Sequence, residues 1–110
     1  MVDRGTVVWA PDPFKTDGNP RPWVVVSSDR LPYADEESIS VSLSTQSHHP
    51  GSIPIPGDAW IRGEPRQQSH VLPWTLATLK DELHIVGMQG DLTSKFVEHV
   101  VAETVSYLQS

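Results

Sequence analysis

The chain has 110 residues, no cysteine and a formal net charge of −6. That length supports one domain with one modest core, and the lack of thiols excludes a disulfide framework, a thiolate metal site and a cysteine nucleophile. Surplus carboxylates exclude a surface coated all over with nucleic-acid-binding charge, and no apolar run approaches the roughly 20 residues a membrane helix needs. Met1-Val2-Asp3-Arg4 carries no signal-peptide pattern, so the expectation is a soluble cytoplasmic protein. The negative charge is uneven. Residues 1–34 carry no net charge, whereas Asp35-Glu36-Glu37 form an acidic turn and residues 81–110 are acidic, which leaves room for a basic patch elsewhere.

Gly5 to Ala10 reads as a first strand, ended by Pro11-Asp12-Pro13. The following loop contains Asp17-Gly18-Asn19, strong turn chemistry, and reaches Pro20-Arg21-Pro22. Proline fixes φ and biases its predecessor toward extended geometry. The sequence therefore predicts a loop in which the Arg21 backbone is stiff and its guanidinium is free to reach an anion. Trp23 to Ser28 is apolar enough for a central strand covered on both faces. Beyond the acidic turn, Ile39, Val41 and Leu43 alternate with Ser40, Ser42 and Ser44, a period-two pattern that predicts one wet face lined by serine.

Ile53 and Ile55, interrupted by Pro54 and Pro56, suit a short edge strand, and Ala59 to Arg62 suits another. Ser69 to Leu79 alternates imperfectly around Pro73, and Ile85-Val86 with Met88 is expected to pair nearby. Asp91-Leu92-Thr93-Ser94 supplies helix-start residues. Phe96, Val97, Val100, Val101, Val105 and Leu108 then recur at helical spacing and give one apolar face. Its β-branched residues make this helix intrinsically poor, so it needs a sheet to dock on. His99 and Glu103 fall on its polar side as an exposed pair. Five to seven short strands closed by a helix describe a mainly β fold, a small antiparallel barrel or coiled sheet.

Four segments, in order, resemble the MazF/PemK family of toxin endoribonucleases: Arg4-Gly5-Thr6-Val7-Val8-Trp9, Arg21-Pro22-Trp23-Val24-Val25-Val26-Ser27, Val41-Ser42-Leu43-Ser44-Thr45-Gln46, and Ser69-His70-Val71 through Thr78-Leu79 with Gly90-Asp91-Leu92 and the helix. The resemblance spans nearly the whole chain. It implies an SH3-like barrel with an attached helix over residues 1–110, a homodimer, a cognate protein antitoxin that blocks the RNA groove, and metal-independent cleavage of single-stranded RNA. The family's catalytic arginine matches Arg21, and its catalytic hydroxyl falls on Ser44 or Thr45. Many members carry glutamate or glutamine just before the Arg-Pro step, where this chain has Asp17-Gly18-Asn19-Pro20.

The chemistry of these residues fits that role. A guanidinium stays protonated and grips phosphate bidentately, and a hydroxyl donates to a phosphate oxygen without any metal. No cofactor is expected, because the adjacent His48 and His49 lack a third partner at zinc spacing. Substrate contacts are expected from Asn19, Gln46, His48, Arg62, Ser69, His70 and Trp74, with Arg66, Gln67 and Gln68 near the RNA backbone. Trp60 and Trp74 are candidates to stack unpaired bases, whereas Trp9 and Trp23 are expected in the core. An alternative reading is a non-catalytic dimeric module of the same fold that inhibits a protein target, since fold does not dictate activity.

Overall fold

The computed structural model describes residues 1–13 and 15–110. Eight strands form a curled antiparallel half-barrel: β1 (Thr6–Pro11), β2 (Pro20–Val25), β3 (Glu37–Ser44), β4 (Ile53–Pro54), β5 (Trp60–Arg62), β6 (His70–Val71), β7 (Ala77–Lys80) and β8 (Gly87–Leu92). A one-turn helix α1 (Asp81–His84) separates β7 from β8, and α2 (Ser94–Ser106) closes the chain. The sheet runs β4-β6-β3-β2-β1-β8-β5, with β7 also paired to β3. Eight strands among the described residues exceed the expected five to seven because the stretch Ser69–Leu79, expected as one imperfect strand around Pro73, is divided into β6 and β7.

The main core joins Val7, Val24, Val41 and Leu43 of the sheet to Phe96, Val97 and Val100 of α2. Burying each such side chain contributes about 1.5–3 kcal/mol, which offsets the poor helix propensity of the valines. Thr93 caps α2 by accepting a hydrogen bond from the Phe96 amide at 3.3 Å, so the helix begins after Asp91 and Leu92, which complete β8. Buried Thr104 donates to the Pro73 carbonyl at 2.7 Å and ties the helix to the turn before β7. His99 is exposed, as expected, and its ring meets the edge of Phe96.

Two expectations about strands change. Of the β3 serines only Ser44, at the strand end, stays partly open, whereas Ser38, Ser40 and Ser42 are 3%, 0% and 1% exposed. A second, smaller core of Val8, Ala10, Trp23 and Leu79 occupies the opposite side of the sheet. Ser42 also exchanges a hydrogen bond with the Thr75 hydroxyl at 2.9 Å. The strand thus alternates small against large side chains beneath two packed faces, a pattern that in sequence looks the same as polar against apolar.

Arg21 also lies inside a strand and not in a loop. β2 starts at Pro20, with Pro11↔Pro20, Ala10↔Arg21 and Trp9↔Pro22 in register on β1. Pairing with β3 begins only at Trp23↔Ser42. At Pro20 and Pro22 the strand therefore has a neighbour on one side alone, the edge setting in which proline is tolerated.

Candidate active site

In the sheet order β2 lies between β3 and β1, and Arg21 is held to both sides. Its Nη1 donates to Asp12 Oδ2 at 2.9 Å, just beyond the end of β1. Its Nη2 donates to the Leu43 carbonyl at 3.1 Å, near the end of β3. The arginine side chain is 24% exposed and that of Asp12 9%. The guanidinium is thus anchored and not freely swinging, while part of it remains open to solvent. β2–β3 pairing stops at Trp23↔Ser42 and Ser44 pairs instead with His70 of β6, but Ser44 follows the Leu43 carbonyl that holds Arg21, and both residues line one cavity. Ser44 Oγ accepts the Gln46 amide at 3.1 Å, which leaves its own proton to donate.

These residues open into a cavity of about 780 Å³. Lys15, Arg21 and Arg66 line it, Ser44, Thr45 and Ser69 supply hydroxyls, and Trp9 and Trp60 supply aromatic surface. No aspartate or glutamate belongs to its wall among the described residues. On a chain of net charge −6 this is a local basic concavity, the kind of surface that concentrates an anionic ligand. Gln46, Gln67, Gln89 and His49 complete the polar part of the lining. Among the described residues no three His, Asp or Glu side chains gather in a metal-holding group.

The sequence-predicted residues divide. Arg21, Ser44, Thr45, Gln46 and Ser69 come together in the cavity, but Asn19, His48, Arg62, His70 and Trp74 are not among its lining residues. Asn19 is exposed, its amide held by the Asp17 carboxylate in the turn before β2. His48 stacks on His49, and it is His49 that reaches the cavity. His70 pairs with both Ser44 and Pro54 across the sheet. Arg62 sits on edge strand β5 against Asp91, 78% exposed. Trp74 meets Tyr107 edge-to-face beside α2.

Trp9 corrects the core assignment: it is half-buried in the cavity wall, whereas Trp23 is 1% exposed and donates its indole N–H to the Ala10 carbonyl. Asp12 was missed because it lies nine residues before Arg21 and only the pairing of β1 with β2 brings the two together, and Lys15 because its loop reaches the cavity only in the folded chain.

The family model for PemK-like, MazF-like toxins of type II toxin–antitoxin systems matches residues 3–106. The chain belongs to that family. Its solved structural neighbours carry the same fold at low identity. MazF from Deinococcus radiodurans superposes with a TM-score of 0.76 at 15% identity, covering 98% of this chain and 96% of that one. The MazE–MazF complex from the same organism gives 0.71 at 15%, covering 98% and 95%. An endoribonuclease in complex with its cognate antitoxin, from a mycobacterial species, gives 0.69 at 16%, again covering 98% and 95%. No curated protein matches the chain in sequence. In this MazF-like chain the half-barrel and closing helix are the family's fold, and the cavity around Arg21 lies where β1, β2 and β3 come together.

Proposed function

We propose that the protein is a toxin endoribonuclease that cleaves single-stranded RNA without a metal ion. The observation that carries this reading is the cavity lined by Lys15, Arg21 and Arg66 together with Ser44, on an otherwise acidic chain, in which Arg21 stays partly open to solvent beside its carboxylate partner, Asp12. RNA supplies its own nucleophile. The 2′-hydroxyl attacks the adjacent phosphorus in line, the 2′-O–P bond forms as the P–O5′ bond breaks, and a 2′,3′-cyclic phosphate and a 5′-hydroxyl end result. The protein has to hold that alignment, stabilise charge on the non-bridging oxygens and move two protons.

Arg21 is suited to the charge and, remaining protonated, is a poor base. Ser44 donates a hydrogen bond to a phosphate oxygen, a contribution of about 2.7–4 kcal/mol in comparable oxyanion sites. Thr45 lies one residue beyond the strand, exposed, and is the second-choice hydroxyl. His49 is the imidazole in the wall and the group placed to carry a proton. Trp9 and Trp60 offer stacking surfaces for unpaired bases, while Lys15 and Arg66 attract the backbone.

The whole of residues 1–110 acts as one toxin domain in the cytoplasm. No helix among the described residues is long and apolar enough to cross a membrane. A protein antitoxin occupies the cavity in the silenced state, and two copies associate. Exposed Ile61, Leu83, Val86 and Met88 are large apolar side chains in keeping with such association.

The test is incubation of purified protein with mixed-sequence single-stranded RNA in EDTA. Cleavage is expected in wild type and lost in Arg21→Ala and Ser44→Ala, with Thr45→Ala close to wild type. Intact RNA with folded, antitoxin-free protein would favour the non-catalytic binding module instead.

A further inference from the structure

We infer that Asp12 is a positioning residue for Arg21, and that its oxygen, more than its charge, sets the angle at which the guanidinium meets a phosphate. This rests on the ribonuclease reading for its catalytic consequence, but the geometry stands by itself. Arg21 Nη1 is held by Asp12 Oδ2 at 2.9 Å and Nη2 by the Leu43 carbonyl at 3.1 Å. Those partners lie on opposite sides of β2, one just past β1 and one on β3. Two anchors on different nitrogens of a planar group fix both its reach and its rotation. A backbone carbonyl alone would leave the plane free to turn about that contact.

Asp12 is well placed to serve as the second anchor. Its own main chain is fastened by a turn, in which its carbonyl accepts the Lys15 amide at 3.1 Å, and its side chain is 9% exposed. A single negative charge beside the cation also opposes phosphate binding. The carboxylate therefore weakens ground-state attraction while sharpening orientation, the combination that raises kcat more than affinity. The sequence hid this arrangement because Pro11-Asp12-Pro13 reads only as a strand terminator.

The experiment compares Asp12→Asn, Asp12→Glu and Asp12→Ala in the full chain, with RNA cleavage resolved into kcat and KM. Arg21 Nη resonances are followed by NMR for restricted rotation. Asp12→Asn keeps an acceptor in place without charge, so kcat should stay near wild type while KM falls. Asp12→Glu keeps the charge but moves the oxygens by one methylene, and Asp12→Ala removes them. Both should lower kcat by about ten- to a hundred-fold with a smaller change in KM, and both should release the Arg21 rotation.

Unchanged kcat and unchanged Nη signals in Asp12→Ala and Asp12→Glu would overturn the inference. Faster cleavage by Asp12→Ala would also overturn it, because Asp12 would then be masking the arginine. Should Asp12→Ala not fold, the contrast between Asn and Glu decides the same question. Wild-type protein that leaves RNA intact, yet shows Arg21 rotation held in wild type and freed in Asp12→Glu, would sink the ribonuclease reading and leave the positioning role standing.

Discussion

Among the described residues two arginine–aspartate pairs stand out, and their surroundings differ more than their chemistry. Arg21 and Asp12 are 24% and 9% exposed, stand at the mouth of a cavity and share the arginine with a backbone carbonyl. Arg62 and Asp91 join β5 to β8 at the edge of the sheet, with Arg62 78% exposed. Asp91 also accepts a hydrogen bond from Thr6 at 3.0 Å, so its carboxylate is placed with or without Arg62. An exposed pair is screened and holds long side chains at an entropic cost, which leaves little net gain. A half-buried pair with a second anchor fixes geometry, and the gain appears in what the cation can do.

The widest separation between the two arginines should appear in cleavage. Arg21→Ala is expected to lower the rate by about 10²–10³-fold, the usual consequence of removing a charge-stabilising donor. Arg62→Ala should leave the rate unchanged in the same initial-rate assay, and a comparable loss would mean that the two arginines do not differ in role.

Next in size is a test of what does hold the β5–β8 edge. A Cβ on Gly63 would lie 2.1 Å from the Gln89 carbonyl oxygen, at φ +78°, and one on Gly90 would lie 2.2 Å from the Arg62 carbonyl oxygen. Backbone meets backbone there, so Gly63→Ala should cost about 2 kcal/mol or more by denaturant unfolding. If Arg62→Ala proves the more destabilising of the two, the ion pair and not the close approach secures the edge.

A smaller effect separates cavity charge from edge charge. Fluorescence anisotropy of a labelled single-stranded RNA, titrated at several salt concentrations, should give a log–log slope reduced by about 0.7 in Arg66→Ala and unaltered in Arg62→Ala. Smallest of all, Arg62→Ala should change stability by only about 0.5 kcal/mol, a difference that vanishes as salt is raised.

Both arginines are candidate site residues in the sequence, Arg21 as the catalytic one and Arg62 as a substrate contact. Arg21 stood out through its two prolines, yet those prolines predicted a loop where a strand begins, because the strand has no β3 partner at that end. Trp60 and Trp74 are both stacking candidates in the sequence, with Trp74 the one expected to contact substrate, yet Trp60 lines the cavity wall and Trp74 meets Tyr107. His48 and His49 differ by one position in a loop, and only the latter reaches the cavity.

The order of the motifs, the period-two alternation of β3 and the apolar face of α2 were properties of the sequence alone, since they depend on neighbours within a few residues. They pointed to a β-rich fold, a docked terminal helix and the family, and singled out Arg21 with Ser44 or Thr45 as the residues to watch. Tertiary structure decided the rest. It buried Ser38, Ser40 and Ser42 of β3, gathered Lys15 and Arg66 into one cavity with Arg21, and brought Asp12 against the guanidinium. Those outcomes depend on which strands lie side by side, and strand neighbours are chosen by packing over the whole sheet rather than by any short run of residues.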